Sequence, residues 1–202
     1  MCHKYDKVML MSRKLDKQEV KIVKALIRNP RLSDNQIGLR TGVPIRTVNR
    51  KRKKMEEEGL LRYYTELNMG SDGTGRFNAS HLYLVKFNLG ISQSKIIKEV
   101  KEEPNVRTVF TEFINESHIA EIEGHTALAL IIEGSSDDEI NSKFNEIMVP
   151  SLEKNHGKGS IIEVTTIRLG QSIRLFHNYL PIVNMVNGRM SDNWVDEAIL
   201  AE

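Results

Sequence analysis

The chain has 202 residues, of which 40% are hydrophobic and 28% charged, so it can form one large packed domain or two small ones. Its single cysteine, Cys2, excludes an intramolecular disulfide and a cysteine-pair metal site, and favours a reducing compartment. No run approaches the roughly 18 apolar residues that a membrane span requires. These features predict a cytoplasmic protein without a membrane partner.

Charge is distributed unevenly along the chain. Residues 1–64 contain 17 Lys and Arg against 7 Asp and Glu, whereas the remainder contains 12 against 20. A basic domain followed by an acidic one fits an electrostatic footprint on DNA that is confined to the first domain.

The first elements in chain order are a polar, basic arm over residues 1–14 and a helix that begins after Asp16. Asp16 and Glu19 have the spacing of a capping box, and the helix should end by Asn29-Pro30. Its apolar positions recur at helical spacing: Val20, Val23, Leu26 and Ile27. This stripe predicts the supporting core of a small domain.

Two further helices joined by a tight turn are predicted from Ser33 to Gly59. Ser33 and Gln36 form a second capping box, and Gly42 supplies the turn. Pro44 has a backbone angle suited to the start of the next helix, which runs to about Glu58. The arrangement is typical of a DNA-binding helix-turn-helix.

At about 100° per residue, the second of these helices has an inward face and an outward face. The inward face contains Ile45, Val48, Arg52 and Met55. The outward face and its flanks contain the residues that we predict to contact base edges, Arg46, Thr47, Asn49 and Arg50. Those predicted to contact phosphates lie further along, at Lys53, Lys54, Arg62 and also Lys51. Arg52 does not fit its face, and we expect its guanidinium to reach water.

The five consecutive cations from Arg50 to Lys54 have a second interpretation. A solvated charged face balanced by Glu56, Glu57 and Glu58 would have the same composition. The capped helix-turn-helix around the run favours DNA binding.

These residues carry a resemblance to the Lrp/AsnC (feast/famine) transcription regulators. Leu15-Asp16, the turn at Gly42-Val43, Thr47-Val48 and the run from Met55 to Leu61 resemble the DNA-binding domain of that family. The family usually has a serine where Pro44 stands and an aliphatic residue where Arg52 stands. The resemblance implies a homodimeric DNA-binding protein.

The first domain is predicted to span residues 15–67. Its last segment, Leu60 to Leu67, is rich in β-formers, and we expect a short strand pair or wing there. Residues 68–80, rich in Gly, Ser, Asn and Asp, have the composition of a linker.

Residues 81–173 predict a second domain with the order βαββαβ. The predicted strands are 81–89, 106–114, 126–132 and 161–169, and the predicted helices are 93–103 and 137–149, the latter closed by Pro150. Two helices on one face of a four-stranded antiparallel sheet form a ferredoxin-like α/β sandwich. The fold class is therefore α+β, a winged helix-turn-helix followed by this sandwich. We expect a partner sheet to cover the other sheet face.

The same resemblance implies that the second domain dimerises through its sheet and binds a small effector, often an amino acid. The candidate effector residues are Gly124, His125 and Thr126. The family commonly has an aspartate three residues after this glycine, but the chain has Ala127 there. The connection over residues 115–123 also looks longer than in the family.

The last segment, residues 174–202, lies beyond the family's core. Asp192 is placed to cap a short helix whose apolar positions are Trp194, Val195, Ala198 and Ile199. This extension either packs on its own domain or reaches another subunit, and the sequence leaves both open.

The sequence allows two alternatives to a regulator. Sirohaem decarboxylases resemble Lrp/AsnC regulators, and His118 and His125 are the histidines to test for such an activity. No metal-ligand spacing, catalytic triad, phosphate-binding loop or cofactor motif is present in the sequence. The other alternative is a module whose basic domain docks on an acidic protein. The outward cations favour a non-enzymatic, sequence-specific transcription regulator that binds double-stranded DNA as a homodimer or higher oligomer.

Overall fold

The computed structural model describes residues 13–102 and 109–200, so most of the predicted N-terminal arm lies outside the described part. Its contacts divide the chain into two compact units. The first unit contains the residues up to Thr65 and those from Ser172 onward, and the second contains Glu66–Gln171. The C-terminal extension therefore belongs to the same unit as the helix-turn-helix.

Three helices build the first unit: α1 (Lys17–Arg28), α2 (Asp34–Thr41) and α3 (Ile45–Glu57). Both predicted capping boxes are present, at Asp16 for α1 and at Ser33 for α2. Gly42 closes α2 with φ 71°, in the left-handed region that favours glycine. These local signals place α2 and α3 at the tight turn that the sequence predicts.

The core of the first unit comes from the apolar stripes of its helices. Its buried members are Ile22, Ala25, Leu26, Leu32, Ile37, Val43, Val48 and Met55. Gly38 lets α2 approach the start of α3, because a Cβ at this position would lie 3.1 Å from both Ile45 Cγ1 and the Val43 carbonyl oxygen. This close packing fixes the position of the second helix of the motif.

The predicted wing strand is not observed. Between α3 and residue 78 the structure contains no strand, and Leu60–Leu67 has an irregular backbone. Tyr63 packs back on α3, where its hydroxyl hydrogen-bonds to Glu56 at 2.9 Å. The β-forming residues of this segment therefore do not pair as strands. Tyr63, one of them, packs on α3 instead.

The C-terminal extension contains a short hairpin, β5 (Met185–Val186) with β6 (Arg189–Met190), and a 3₁₀ turn over Asp196–Ala198. The helix predicted from Asp192 is not formed. Arg28 of α1 donates hydrogen bonds to the carbonyl oxygens of Ser191 and Trp194, and the Trp194 carbonyl is one that such a helix would have used internally. Tertiary contact with α1 thus replaces local helix formation.

The second unit contains one four-stranded antiparallel sheet: β1 (Ala79–Phe87), β2 (Ile114–Ile122), β3 (His125–Gly134) and β4 (Ile161–Leu169). The strand order is β2-β3-β1-β4. Helix α4 (Gln93–Glu102) follows β1, and α5 (Asp137–Lys143) follows β3. The ferredoxin-like topology and the α+β class predicted from the sequence are confirmed.

One face of this sheet packs against the helices. Its core includes Tyr83, Val85, Phe87, Leu128, Leu130 and Ile132 from the strands, and Ile96, Ile140, Phe144 and Met148 from the helical segments. Side chains alternate between faces, so Leu82 and Leu84 of β1 lie on the opposite face, in register with Ile131 of β3 and with Ile167 and Thr165 of β4.

The predicted second strand and the connection after it are corrected. The second strand was expected at 106–114; residues 106–108 lie outside the described part, Phe110–Glu112 forms a 3₁₀ turn, and the strand begins at Ile114. Phe110 and Phe113 are buried core residues, which explains the apolar pattern before the strand. The supposed long connection is the strand itself, followed by a two-residue turn in which Glu123 and Gly124 both have positive φ.

The helix predicted to end at Pro150 continues to His156. A π-helical segment, Phe144–Met148, leads into α6 (Val149–His156). Pro150 lies in the first turn of α6, where a missing N–H is tolerated. Within the described ranges, no helix is both long enough and apolar enough to span a membrane.

Candidate nucleic-acid interface

Helix α3 separates an inward face from an exposed one. Val48 and Met55 are fully buried in the core of the first unit. Arg46, Asn49, Arg50 and Lys53 are exposed, as the helical periodicity predicts, and Thr47 is half-buried beside them. Ile45, expected inside, is 50% exposed and is the first residue of the helix.

Arg46 and Arg50 are the free cations of this face. Within the described part of the chain, neither guanidinium has a hydrogen-bond or ion-pair partner. Both lie in the first half of α3, and each presents five donors in a planar fork that suits guanine O6 and N7. Their charge is therefore available to an incoming ligand.

Lys53 and Lys54 differ from these arginines because each lies one turn before a glutamate. Lys53 Nζ lies 3.9 Å from Glu57, and Lys54 Nζ lies 3.7 Å from Glu58. Such exposed i,i+4 pairs contribute only about 0.3 to 0.5 kcal/mol, so a phosphate can compete for the ammonium groups. The balanced-face interpretation thus holds for the second half of α3 and not for Arg46 and Arg50.

Lys51 does not join this surface, contrary to our prediction of a phosphate contact. It is buried, and its ammonium pairs with the Asp16 carboxylate that caps α1. The Lys51 hydrogen bond also lowers the pKa of Asp16 below its ordinary value. Lys51 therefore joins α3 to α1, a role that periodicity alone did not reveal.

Arg52, the residue that did not fit its face, is at the centre of a polar network. Its Nη1 donates to the Leu32 carbonyl oxygen and to Asp34 Oδ1, each at 3.2 Å. Its Nε donates to Glu56 at 3.1 Å and to the Tyr63 hydroxyl at 2.9 Å. The guanidinium is partly exposed to water, as expected, but it also pairs with the protein and stabilises α3 against α2.

Asn49 is connected to the same network. Its Nδ2 donates to Asp34 Oδ2 at 2.8 Å. Asp34, Asn49, Arg52, Lys53 and Glu56 line a concavity of about 390 Å³ beside the exposed face of α3. Asp34 was not singled out in the sequence, although an acidic residue in the first turn of α2 opposite an inward arginine was an available signal.

Arg62 follows α3 and is exposed. Its Nε donates to the Gly59 carbonyl oxygen at 3.2 Å, which holds the side chain beside the end of the helix. Within the described part of the chain, its guanidinium has no ion-pair partner.

The candidate effector residues lie at the β2–β3 turn of the second unit. His125 Nδ1 lies 2.8 Å from the Phe87 carbonyl oxygen, and Gly124 forms the turn with φ 78°. Neither they nor Thr126 line the nearby concavity of about 310 Å³. That concavity is bounded by residues that include Asn88, Lys95, His156, Lys158 and Ser160.

The two histidines considered for catalysis are not brought together. His118 pairs with Ala129 and His125 with Ile122, so four residues of β3, about 13 Å of strand, separate their positions. His118 lies 3.3 Å from Glu116 and is exposed. Among the described residues, no group of three or more His, Cys, Asp and Glu has an arrangement that could hold a metal ion.

Comparison with known proteins identifies a family for the helix-turn-helix segment and a fold for most of the chain. Residues 15–62 match the family model of winged helix-turn-helix DNA-binding domains. A transcriptional regulator from Neisseria meningitidis, solved in complex with L-Met, aligns with a TM-score of 0.58 and 18% identity, over 80% of this chain and 94% of its own. No curated protein matches the sequence.

Two further solved structures have the same fold. LrpC of B. subtilis aligns with a TM-score of 0.57 and 16% identity, over 80% of this chain and 99% of its own. AsnC of E. coli aligns with a TM-score of 0.55 and 15% identity, over 81% of this chain and 97% of its own.

The chain combines a helix-turn-helix segment that matches a model of DNA-binding domains with a ferredoxin-like sandwich. More particularly, this is the fold of the Lrp/AsnC regulators. The resemblance predicted from the sequence is confirmed for the DNA-binding segment and for the fold.

Proposed function

We propose that the protein is a sequence-specific transcription regulator that reads the major groove with the first half of α3. The observation that carries the proposal is the pair Arg46 and Arg50, exposed and without protein partners within the described part, on the same face as Asn49. Arginine and asparagine are the side chains best suited to bidentate contacts with guanine and adenine. Lys53, Lys54 and Arg62 would position the protein through phosphates.

The test is a fluorescence-anisotropy titration of the full chain against the DNA upstream of its own gene and against a scrambled duplex, at several salt concentrations. We expect tighter binding to the upstream DNA and a log–log salt dependence with a slope of several ions. Equal affinity for both duplexes, or no binding to either, would contradict the proposal and favour a protein-docking role.

A homodimer is part of this proposal. The sheet face opposite the helices carries Leu82, Leu84, Ile131 and Ile167, and Ile167 is 45% exposed. A second copy of the sheet would bury these side chains and set two α3 helices on half-sites about one helical turn apart or a multiple of it.

The second unit would also sense a small metabolite, such as an amino acid, close to Gly124, His125 and Thr126. The N. meningitidis regulator with the same fold was solved with L-Met, which supports an amino-acid class of effector. Among the described residues, the separated histidines and the lack of a candidate metal cluster give no specific support for the sirohaem decarboxylase alternative. We propose a binding function and not an enzymatic one.

A further inference from the structure

The Asp34 carboxylate contacts two residues of α3 with its two oxygens. Oδ2 accepts from Asn49 Nδ2 at 2.8 Å, and Oδ1 accepts from Arg52 Nη1 at 3.2 Å. The Asp34 side chain is only 22% exposed, whereas Asn49 is exposed on the face proposed to read DNA. The half-buried Asp34 carboxylate on α2 therefore connects the Asn49 amide, a candidate for base reading, to Arg52, which holds α3 against α2.

The chemistry of this contact determines which way the amide points. An asparagine amide has a donor end and an acceptor end of nearly the same shape, and it can flip when both ends face water. An ionised carboxylate only accepts hydrogen bonds, so it binds the Nδ2 end and repels the Oδ1 end. Asp34 thereby selects one of the two amide orientations before DNA is bound.

The selected orientation leaves the groups that adenine requires. Nδ2 carries two hydrogens, and one of them is sufficient for the bond to Asp34. The bidentate contact with adenine N7 and N6 uses Oδ1 and the Nδ2 hydrogen on the same side as Oδ1, and this edge stays available when the bond to Asp34 uses the other hydrogen. The bond to Asp34 is thus compatible with base reading and lowers the conformational entropy that binding must remove.

Arg52 fixes the carboxylate itself. Besides Asp34, its guanidinium binds the Leu32 carbonyl oxygen at 3.2 Å, and its Nε binds Glu56 and the Tyr63 hydroxyl. A guanidinium held by three other groups gives Asp34 little freedom to rotate away from Asn49. This network also gives a role to the arginine that departs from the aliphatic residue expected at position 52.

We infer that Asp34 is a positioning residue for DNA recognition, which fixes the Asn49 amide so that Asn49 discriminates adenine from other bases. The inference rests on the proposed function, because it requires α3 to enter the major groove.

The experiment uses duplexes selected from a random library by the wild-type full chain, with each position of the selected site then substituted in turn. Positions at which Asn49→Ala loses preference identify the adenine that Asn49 reads. Asp34→Asn preserves size but adds a competing donor, and we expect it to reduce discrimination at that adenine by about tenfold. Glu57→Gln is the matched control, since it removes one negative charge from α3 at an exposed position that pairs with Lys53.

Affinity for random DNA should change equally in Asp34→Asn and Glu57→Gln, because both remove one negative charge near phosphates. In an Asn49→Ala background, Asp34→Asn should have no further effect on discrimination. If Asp34→Asn and Glu57→Gln prefer adenine equally strongly at the position that Asn49 reads, the inference is overturned and the proposed function is left intact. A wild-type protein without any base preference would overturn both.

A second measurement needs no DNA and detects misfolding of a variant. The side-chain amide resonances of Asn49, identified by their loss in Asn49→Ala, should shift and exchange faster with solvent in Asp34→Asn while backbone resonances of the core remain. Unchanged Asn49 amide resonances in a folded Asp34→Asn protein would contradict the positioning role.

Discussion

Arg28 and Asp196 are 168 residues apart in the sequence, yet Arg28 Nη2 lies 2.6 Å from Asp196 Oδ1. Arg28 also donates to two backbone carbonyls of the extension, and Lys24 Nζ donates to the Asp196 carbonyl oxygen at 2.8 Å. Tyr179 donates from its hydroxyl to the Ile27 carbonyl oxygen at 3.1 Å. The extension is thus part of the DNA-binding unit through repeated contacts with α1.

Arg28→Ala should release the extension from α1. Removing several hydrogen bonds to a mostly buried guanidinium should lower the free energy of unfolding by about 2 kcal/mol. Trp194 is the only tryptophan of the chain and lies in the extension, so its fluorescence emission reports this release directly. We expect a red shift in Arg28→Ala at neutral pH. Arg31→Ala, at an exposed position three residues later, is the control, and identical emission and stability in the two variants would contradict this role of Arg28.

Arg50 and Lys54 should differ in their effect on DNA binding. Arg50→Ala should weaken binding to the selected site by about 1 to 3 kcal/mol and relax its base preference, because it removes a free guanidinium from the reading face. Lys54→Ala should weaken selected and random DNA alike and reduce the salt slope by about one ion. Anisotropy titrations at four salt concentrations measure both effects. Parallel losses on every sequence for both variants would show that the roles are wrongly assigned.

Acid should destabilise the first unit through Glu19. The buried Glu19 carboxylate accepts from Arg13 at 2.8 and 3.0 Å, and these bonds hold its pKa below the ordinary value despite burial. A carboxyl whose pKa is lower in the folded state adds stability above its unfolded pKa and loses it as pH falls toward the folded pKa. The free energy of unfolding should therefore fall below about pH 4.5.

Urea titrations between pH 6 and pH 3 test this expectation. Glu19→Gln and Arg13→Ala should both be less stable at pH 6 and should both depend less on pH than the wild-type protein. A wild-type protein that loses stability in parallel with the two variants would exclude Glu19 as the source of the acid sensitivity.

The exposed sheet face should determine the oligomeric state. Leu84→Glu would place a charge at the centre of the proposed interface, where desolvation is costly, and should convert dimer to monomer in sedimentation velocity. Leu89→Glu is the control, because Leu89 is 77% exposed in the loop after β1 and away from that face. A dimer that survives Leu84→Glu, or dissociates equally in both variants, would exclude the sheet as the interface.

The sequence predicted the elements whose ends are set by neighbouring residues, such as helix caps and turn glycines. Capping boxes at Asp16 and Ser33 and the glycine at position 42 predicted the helix-turn-helix, and the strand predicted over 161–169 matches β4 residue for residue. Prediction was wrong for β2, an edge strand with few buried side chains, because the apolar residues before it belong to the core. Hydrophobic patterning reports burial, so the buried Phe110 and Phe113 shifted the predicted strand toward the N-terminus. β4 is also an edge strand, but no such apolar core residues directly precede it.

The candidate interface was predictable only in part. Exposed positions on α3 follow from helical geometry, but Lys51 pairs with Asp16 at the start of α1, and Arg52 binds Asp34 of α2 and Tyr63 among others, up to 35 residues away in sequence. Long-range ion pairs leave no periodic signal, so a buried lysine and a free one have the same appearance in the sequence. The docking of the extension on α1 was hidden for the same reason.

Methylation interference on the selected duplex tests the central claim most directly, namely that the first half of α3 reads the major groove. Methyl groups at guanine N7 project into the major groove, whereas those at adenine N3 project into the minor groove. We predict that guanine N7 methylation within each half-site abolishes binding of the wild-type protein, and that Arg50→Ala loses sensitivity at one of these guanines. Interference only from adenine N3 methylation, or an unchanged pattern in Arg50→Ala, would contradict the account.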